Sequence, residues 1–242
     1  MIWALLFTVT FVASAVQSAT GFAFALIIVP AYLFLLGTTD VIQIAIILSV
    51  VISTAHLSKL KLNIPPQIFK WLAIGCAFGL PGGLYLYSNI NLALLKILVA
   101  VFIIFISIQN GFNMFKKTFS KAYYNKLALT VIGALSGMLG SSMAMPGPLV
   151  MLYLSRTTLS KDEIRASMVL FFVFTYIAIL ILQVIFIGVE HETWITSAYL
   201  APAALCGVFV GHQISKKINE MLFKVFILII LIITGCMMLI NL

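Results

Sequence analysis

Two groups of small polar residues interrupt long uncharged stretches of this chain. Gln17-Ser18-Ala19-Thr20-Gly21 lies within Met1 to Thr39, and Gly137-Met138-Leu139-Gly140-Ser141-Ser142 lies within Leu127 to Ser155. A proline follows each, Pro30 or Pro148. The side chains offer hydroxyls from Ser18, Thr20, Ser141 and Ser142, a carboxamide from Gln17, and glycines that let a ligand approach the backbone. No charged side chain is among them. Such a set suits a small anion held by neutral donors. Where a second helical leg begins near Phe22 or Met143, its free N–H groups and positive dipole end would face inward. Broken apolar segments at corresponding positions of two halves mark a transporter site, because unwound backbone at membrane depth must line a cavity or be buried in protein. Small residues that merely ease helix packing explain one such break more readily than two in matching places.

The elements that must position these groups are membrane helices. Of the 242 residues, 63% are hydrophobic and 8% charged, with a mean hydropathy of +1.21, whereas about a quarter of a soluble chain is charged. Apolar runs of about 20 residues cross about 30 Å of hydrocarbon as helices, which excludes a barrel of short alternating strands. The fold class is an all-α polytopic membrane protein. The first segment lacks a basic start and a cleavage site, so it is expected to be mature protein. The net charge of +8 sits in short loops between spans, as the positive-inside rule expects, and does not mark a nucleic-acid surface. Cys76, Cys206 and Cys236 fall in apolar spans without metal-ligand spacing, so neither a metal, a cofactor nor a disulfide is expected. His56, His191 and His212 lie at helix ends or in a turn. Asp40, Asp162, Glu163, Glu190, Glu192 and Glu220 all fall in loops or at helix ends, so a carboxylate proton relay is missing. An intramembrane enzyme is disfavoured too, for want of HExxH or paired aspartates.

The remaining spans read as Val41 to Leu57, Trp71 to Tyr87, Leu92 to Phe115, Arg165 to Gly188, Trp194 to His212 and Met221 to Leu242. A shift of 128 residues places Gly79 on Gly207, Gly83 on Gly211, Asn91 on Asn219 and Lys96 on Lys224; a shift of 118 places Ser18 on Ser136 and Pro30 on Pro148. The chain therefore divides into a repeat at 1–115, a linker at 116–126 and a second repeat at 127–242. As one helix the first broken stretch would be roughly 55 Å long, too long for a bilayer core, and the second roughly 43 Å. If both fold back as hairpins, 13 of the 14 Lys and Arg residues lie on one side and only Lys96 opposite; if each crosses once, the split is 7 against 7. The hairpin arrangement wins by the positive-inside rule. It gives five crossings per half, hence inverted repeats, with cytoplasmic basic loops at 58–70, 116–126, 156–165 and 216–220 and both termini outside. Lys96 and Lys224, matched between halves, either attract an anion or snorkel to headgroups.

Val16-Gln17-Ser18-Ala19-Thr20-Gly21-Phe22-Ala23-Phe24, followed by Val29-Pro30, resembles the opening motif of the sulfite exporter TauE/SafE family of membrane transporters. Ser136-Gly137-Met138-Leu139-Gly140 with Pro146-Gly147-Pro148-Leu149-Val150-Met151-Leu152-Tyr153-Leu154 is similar to that family's repeated motif. The resemblance implies transport of small sulfur-containing anions, such as sulfite or organosulfonates, across the bacterial inner membrane. It also carries site roles to Gln17, Thr20, Gly21 and Phe22, and to Gly137, Gly140, Pro146, Gly147 and Pro148. Ala23 stands where glycine is common in the family, and Ser141-Ser142 where small residues, often glycine, are expected. The expected function is a secondary transporter or facilitator, working by alternating access around a midplane site between the two hairpin tips. With the cell interior negative, an outward-moving anion gains about 2.3 kcal/mol per charge per 100 mV, which favours export. A carrier of a carboxylate or metal ion is the alternative. The partners expected are the anion and the lipid bilayer, with homo-oligomer formation left open.

Overall fold

The computed structural model describes residues 2–57, 65–115 and 124–214. Within them lie nine helices and no strands: α1 (Ile2–Thr20), α2 (Phe24–Leu36), α3 (Val41–Leu57), α4 (Pro66–Asn89), α5 (Leu92–Phe115), α6 (Lys126–Met143), α7 (Gly147–Leu154), α8 (Lys161–Phe186) and α9 (His191–Ile214). Six are long and apolar enough to cross a membrane: α1, α4, α5, α6, α8 and α9. The protein is thus a multi-pass, all-helical membrane protein. The expected span at Met221–Leu242 with Lys224, the linker residues 116–123, and Lys59, Lys61, Lys216 and Lys217 lie outside the described residues.

Both long uncharged stretches fold back as two legs. Tyr32 on α2 donates from its hydroxyl to the Leu6 carbonyl of α1 and pairs with the Thr10 hydroxyl. In the second stretch, the Asn125 N–H at the start of α6 donates to the Tyr153 hydroxyl near the end of α7, at 2.8 Å. At 1.5 Å per residue α7 is about 12 Å long, too short to span by itself. The breaks fall later than the small polar residues suggest. Gln17–Thr20 and Gly137–Met143 are helical, and the chain unwinds only at residues 21–23 and 144–146. The second legs accordingly start at Phe24 and Gly147, not near Phe22 and Met143. Serines and threonines fit inside these helices because each hydroxyl can bond a carbonyl one turn back, as Thr20 does to Val16 and Ser142 to Met138. Gly21 ends α1 with φ +92°, and Ala144 ends α6 with φ +60°. The Ala144 N–H donates to the Gly140 carbonyl at 2.9 Å, the single bond of an αL cap, and the Met145 N–H also reaches the Leu139 carbonyl.

Two helix pairs approach at backbone contact. A Cβ added at Gly75 or Gly79 of α4 would stand 1.9 Å from the Thr130 or Ala134 carbonyl oxygen of α6, and one at Gly83 would stand 2.1 Å from the Met138 oxygen. Likewise a Cβ at Gly207 or Gly211 of α9 would stand 2.3 Å from the Phe11 oxygen or 2.2 Å from the Ala15 oxygen of α1. Without water to drive association, such close approach supplies dispersion contacts that larger residues would prevent. The two pairings share one register. Gly79 on Ala134 and Gly207 on Phe11 differ by 128 residues on the α4/α9 side and by 123 on the α6/α1 side; Gly83 on Met138 and Gly211 on Ala15 differ by the same offsets. Ser141 Oγ donates to the Leu80 carbonyl at 3.0 Å and Ser18 Oγ to the Val208 carbonyl at 2.8 Å, again at those offsets. The offset of 123 also carries Gly21 to Ala144 and Phe24 to Gly147. By these contacts the partner of Ser18 is Ser141, not the Ser136 that a shift of 118 selects.

Candidate functional site

The first break is surrounded by polar groups from three helices. Gln17 and Gly21 of the α1 end, Ser53 and His56 of α3, and Arg165, Val169 and Phe172 of α8 line a narrow pocket, with room for about one water molecule. Arg165 is half-buried and donates from Nη2 to the Ser18 carbonyl at 2.7 Å. A guanidinium at the C-terminal end of α1 satisfies a carbonyl that the helix leaves open and meets the negative end of its dipole. It also brings further N–H donors in a planar fork suited to an oxyanion. Gln17, 4% exposed, accepts at Oε1 from the Phe24 N–H at 3.1 Å, so it caps the start of α2 from the end of α1.

Arg165 is the residue that sequence reasoning counted among loop charges and did not place at the break. Its signal was present. Ser160 and Glu163 form a reciprocal capping box: the Ser160 N–H donates to Glu163 Oε2 at 2.8 Å and the Glu163 N–H to Ser160 Oγ at 3.3 Å. That box starts α8 at Lys161 and puts Arg165 at the head of the stripe Val169, Phe172, Tyr176, Ile179, spaced to share one helical face. All four are buried. An arginine heading an inward stripe points into the bundle.

Phe172 joins the two breaks. On one side it lines the Arg165 pocket; on the other its Cζ lies 2.7 Å from where a Cβ would sit at Gly147, the first residue of α7. Phe22 Cβ lies 3.4 Å from the same point. A Cβ at position 147 would force the Phe172 ring to shift. Pro146 precedes α7 as its N-cap residue, Pro148 occupies its first turn, and the Pro146 side chain meets the Gly140 Cβ position at 3.1 Å. One turn beyond Phe172, Tyr176 donates to the Ala144 carbonyl at 3.0 Å and pins the second break to α8.

The expected residues therefore divide. Gln17 and Gly21 line the pocket, while Phe22 and Gly147, with Pro146 and Pro148 flanking it in sequence, meet near the Phe172 ring. Ser18 and Ser141 give their hydroxyls to neighbouring helices, and Thr20 and Ser142 to carbonyls of their own. Gly137 is a packing contact, its Cβ position 2.5 Å from the Cys76 carbonyl oxygen. Lys96 stands half-buried near the start of α5 and does not line the pocket. Ser18→Ala and Ser141→Ala are each expected to lower stability by about 1 kcal/mol, read by thermal unfolding in detergent. Transport per folded molecule should stay unchanged; a loss of transport at full stability would return those hydroxyls to the site.

A whole-chain comparison agrees with the motif reading: the profile of the family described as Sulfite exporter TauE/SafE matches residues 6–238. The chain belongs to the TauE/SafE family. No curated protein and no solved structure gives a match. As a TauE/SafE member with six helices long enough to span, the protein is a multi-pass membrane protein of a transporter family. Among the described residues no group of three or more His, Cys, Asp or Glu side chains could hold a metal ion. The pocket of this TauE/SafE member brings a guanidinium, a carboxamide, a hydroxyl and an imidazole together beside the first break.

Proposed function

We propose that this TauE/SafE protein moves a small sulfur oxyanion, of the class of sulfite or an organosulfonate, outward across the bacterial inner membrane. One observation carries the reading: the Arg165 guanidinium sits at the unwound end of α1 with Gln17, Ser53 and His56, on the α8 face whose Phe172 abuts the second break. An oxyanion entering there exchanges hydration for charge-assisted hydrogen bonds, which are roughly twice as strong as neutral ones. The repeated contacts at offsets of 123 and 128 support two repeats of inverted topology. Basic residues 156–165 then face the cytoplasm, and the Arg165 pocket is the inner mouth. Alternating access follows from rocking of one half against the other about the breaks. The membrane potential, inside negative, drives the anion outward without a coupled ion.

The test is sulfite, isethionate, acetate and phosphate flux in proteoliposomes under an imposed potassium diffusion potential. Sulfite flux that reverses with the sign of the potential supports the assignment. Acetate flux without sulfite flux would make it a carboxylate carrier, and no flux of any would remove the transport of these anions altogether.

A further inference from the structure

Gln183 closes the inward stripe of α8 at the end opposite Arg165. It is fully buried, and neither its Oε1 nor its Nε2 has a hydrogen-bond partner among the described residues. A buried polar group left unmet is destabilising, and a leucine or methionine of similar size would avoid both. Its position repeats the spacing of the stripe: Arg165, Val169, Phe172, Tyr176, Ile179, Gln183. From Arg165 to Gln183 the helix rises about 27 Å, close to the thickness of the hydrocarbon core. The facing helix α3 carries polar groups at the same seam: His56 and Ser53 in the Arg165 pocket, and Ser49 beside the Tyr176 hydroxyl. At the Gln183 end, Gln43 of α3 donates to the Gly188 carbonyl at 2.9 Å. Between the two ends Phe172 and Tyr176 lie in ring contact, centroids 5.7 Å apart, and occupy the seam.

We propose that the Gln183 carboxamide is a second station for the transported oxyanion, reached once the Phe172–Tyr176 pair moves aside. The proposal rests on the transport reading above. Nε2 offers a hydrogen-bond donor to an anionic oxygen and Oε1 an acceptor, so the pair suits an oxyanion that carries one proton, which presents both. A neutral amide holds such an anion less tightly than a guanidinium does. That difference favours release at the outer mouth and capture at the inner one. In the conformation described here Gln183 is sealed from solvent, as a station beyond a closed barrier must be.

Three variants test it. Gln183→Leu removes the amide at similar volume; sulfite efflux from proteoliposomes is expected to fall about tenfold while the unfolding temperature holds or rises. Unchanged efflux overturns the station, and so does a fall in unfolding temperature that Gln183→Met shares, since the amide would then be structural. Gln183→Cys, in a background lacking the native cysteines, is expected to react with a sulfonate-bearing methanethiosulfonate applied from outside. Reaction with the trimethylammonium analogue should be slower, and isethionate, a sulfonate that does not attack thiosulfonates or disulfides as sulfite does, should protect. Labelling also separates the two readings. If the wild-type protein moves no sulfite yet the cysteine reacts selectively with the anionic reagent, the transport assignment fails and the anion station stands. If sulfite moves and the cysteine is inert, the station fails alone.

Discussion

Arg165→Ala is expected to raise the sulfite concentration for half-maximal flux by about ten- to a hundredfold, the equivalent of losing a hydrogen bond to a charged group worth about 1.5–3 kcal/mol. Among the described residues Arg165 is the one lysine or arginine lining the pocket at the first break, and its Nη2 is already aligned on the Ser18 carbonyl at 2.7 Å. The guanidinium has two tasks there, closing the end of α1 and meeting the anion, and two substitutions separate them. Arg165→Gln keeps an N–H donor for the Ser18 carbonyl but loses the charge, so it should fold normally and transport poorly. Arg165→Lys keeps the charge as a compact point without the fork and should recover affinity only in part. The measurement is flux against sulfite concentration, with thermal unfolding of each variant alongside. Wild-type affinity in Arg165→Gln would remove the anion from this pocket.

Gly79→Leu should abolish a folded, monodisperse protein, the largest stability effect anticipated for a single substitution here. The first added carbon would lie 1.9 Å from the Ala134 carbonyl oxygen and 2.7 Å from its carbon, both backbone atoms that no rotamer change can move. Relief requires α4 and α6 to separate along the contact that also includes Gly75, Gly83, Gly133 and Gly137. Overpacking costs typically about 1–3 kcal/mol where side chains can yield; a backbone clash forecloses that relief. Gly82→Leu, three residues on, is the control. Its Cβ position has nothing within 4 Å, and leucine is the better helix former, glycine lying about 0.8–1.0 kcal/mol below alanine with leucine close to alanine. Size-exclusion profiles and unfolding temperatures in detergent should show collapse for the first and an equal or higher temperature for the second. A stable Gly79→Leu would mean that the α4–α6 approach is looser than described.

The legible part of the fold was written in one-dimensional quantities. Apolar run lengths located α3 and α5 at their observed bounds and α4, α8 and α9 within a few residues, with starts at Pro66, Lys161 and His191 where caps and first turns extend past the apolar core. The breaks were found but misplaced, because small polar residues look like loop formers by composition, yet a helix accommodates them by bonding hydroxyls to its own carbonyls. The true interruptions sit at positions of positive φ, one of them an alanine that carries no sequence signature of such a turn. Half of the expected hydroxyls turned out to tie helices together, since at 0% exposure Ser18 and Ser141 face a neighbouring carbonyl at hydrogen-bonding distance.

Membership in the TauE/SafE family, membrane residence, helix number within the described residues and two fold-back segments follow from the sequence alone, because hydropathy, span length and motif are local properties of the chain. Which groups meet is a different matter. The placing of Arg165 against the end of α1, 147 residues earlier in the chain, follows from the crossing of α8 over the first break. The choice of Ser141 rather than Ser136 as the counterpart of Ser18 follows from helix register, and the sealing of Gln183 follows from packing of the inward face of α8, whose other side leaves Ile181, Val184 and Ile185 exposed. Such pairings depend on interhelical rotation and depth, which close glycine contacts set and which no spacing along one strand of sequence encodes.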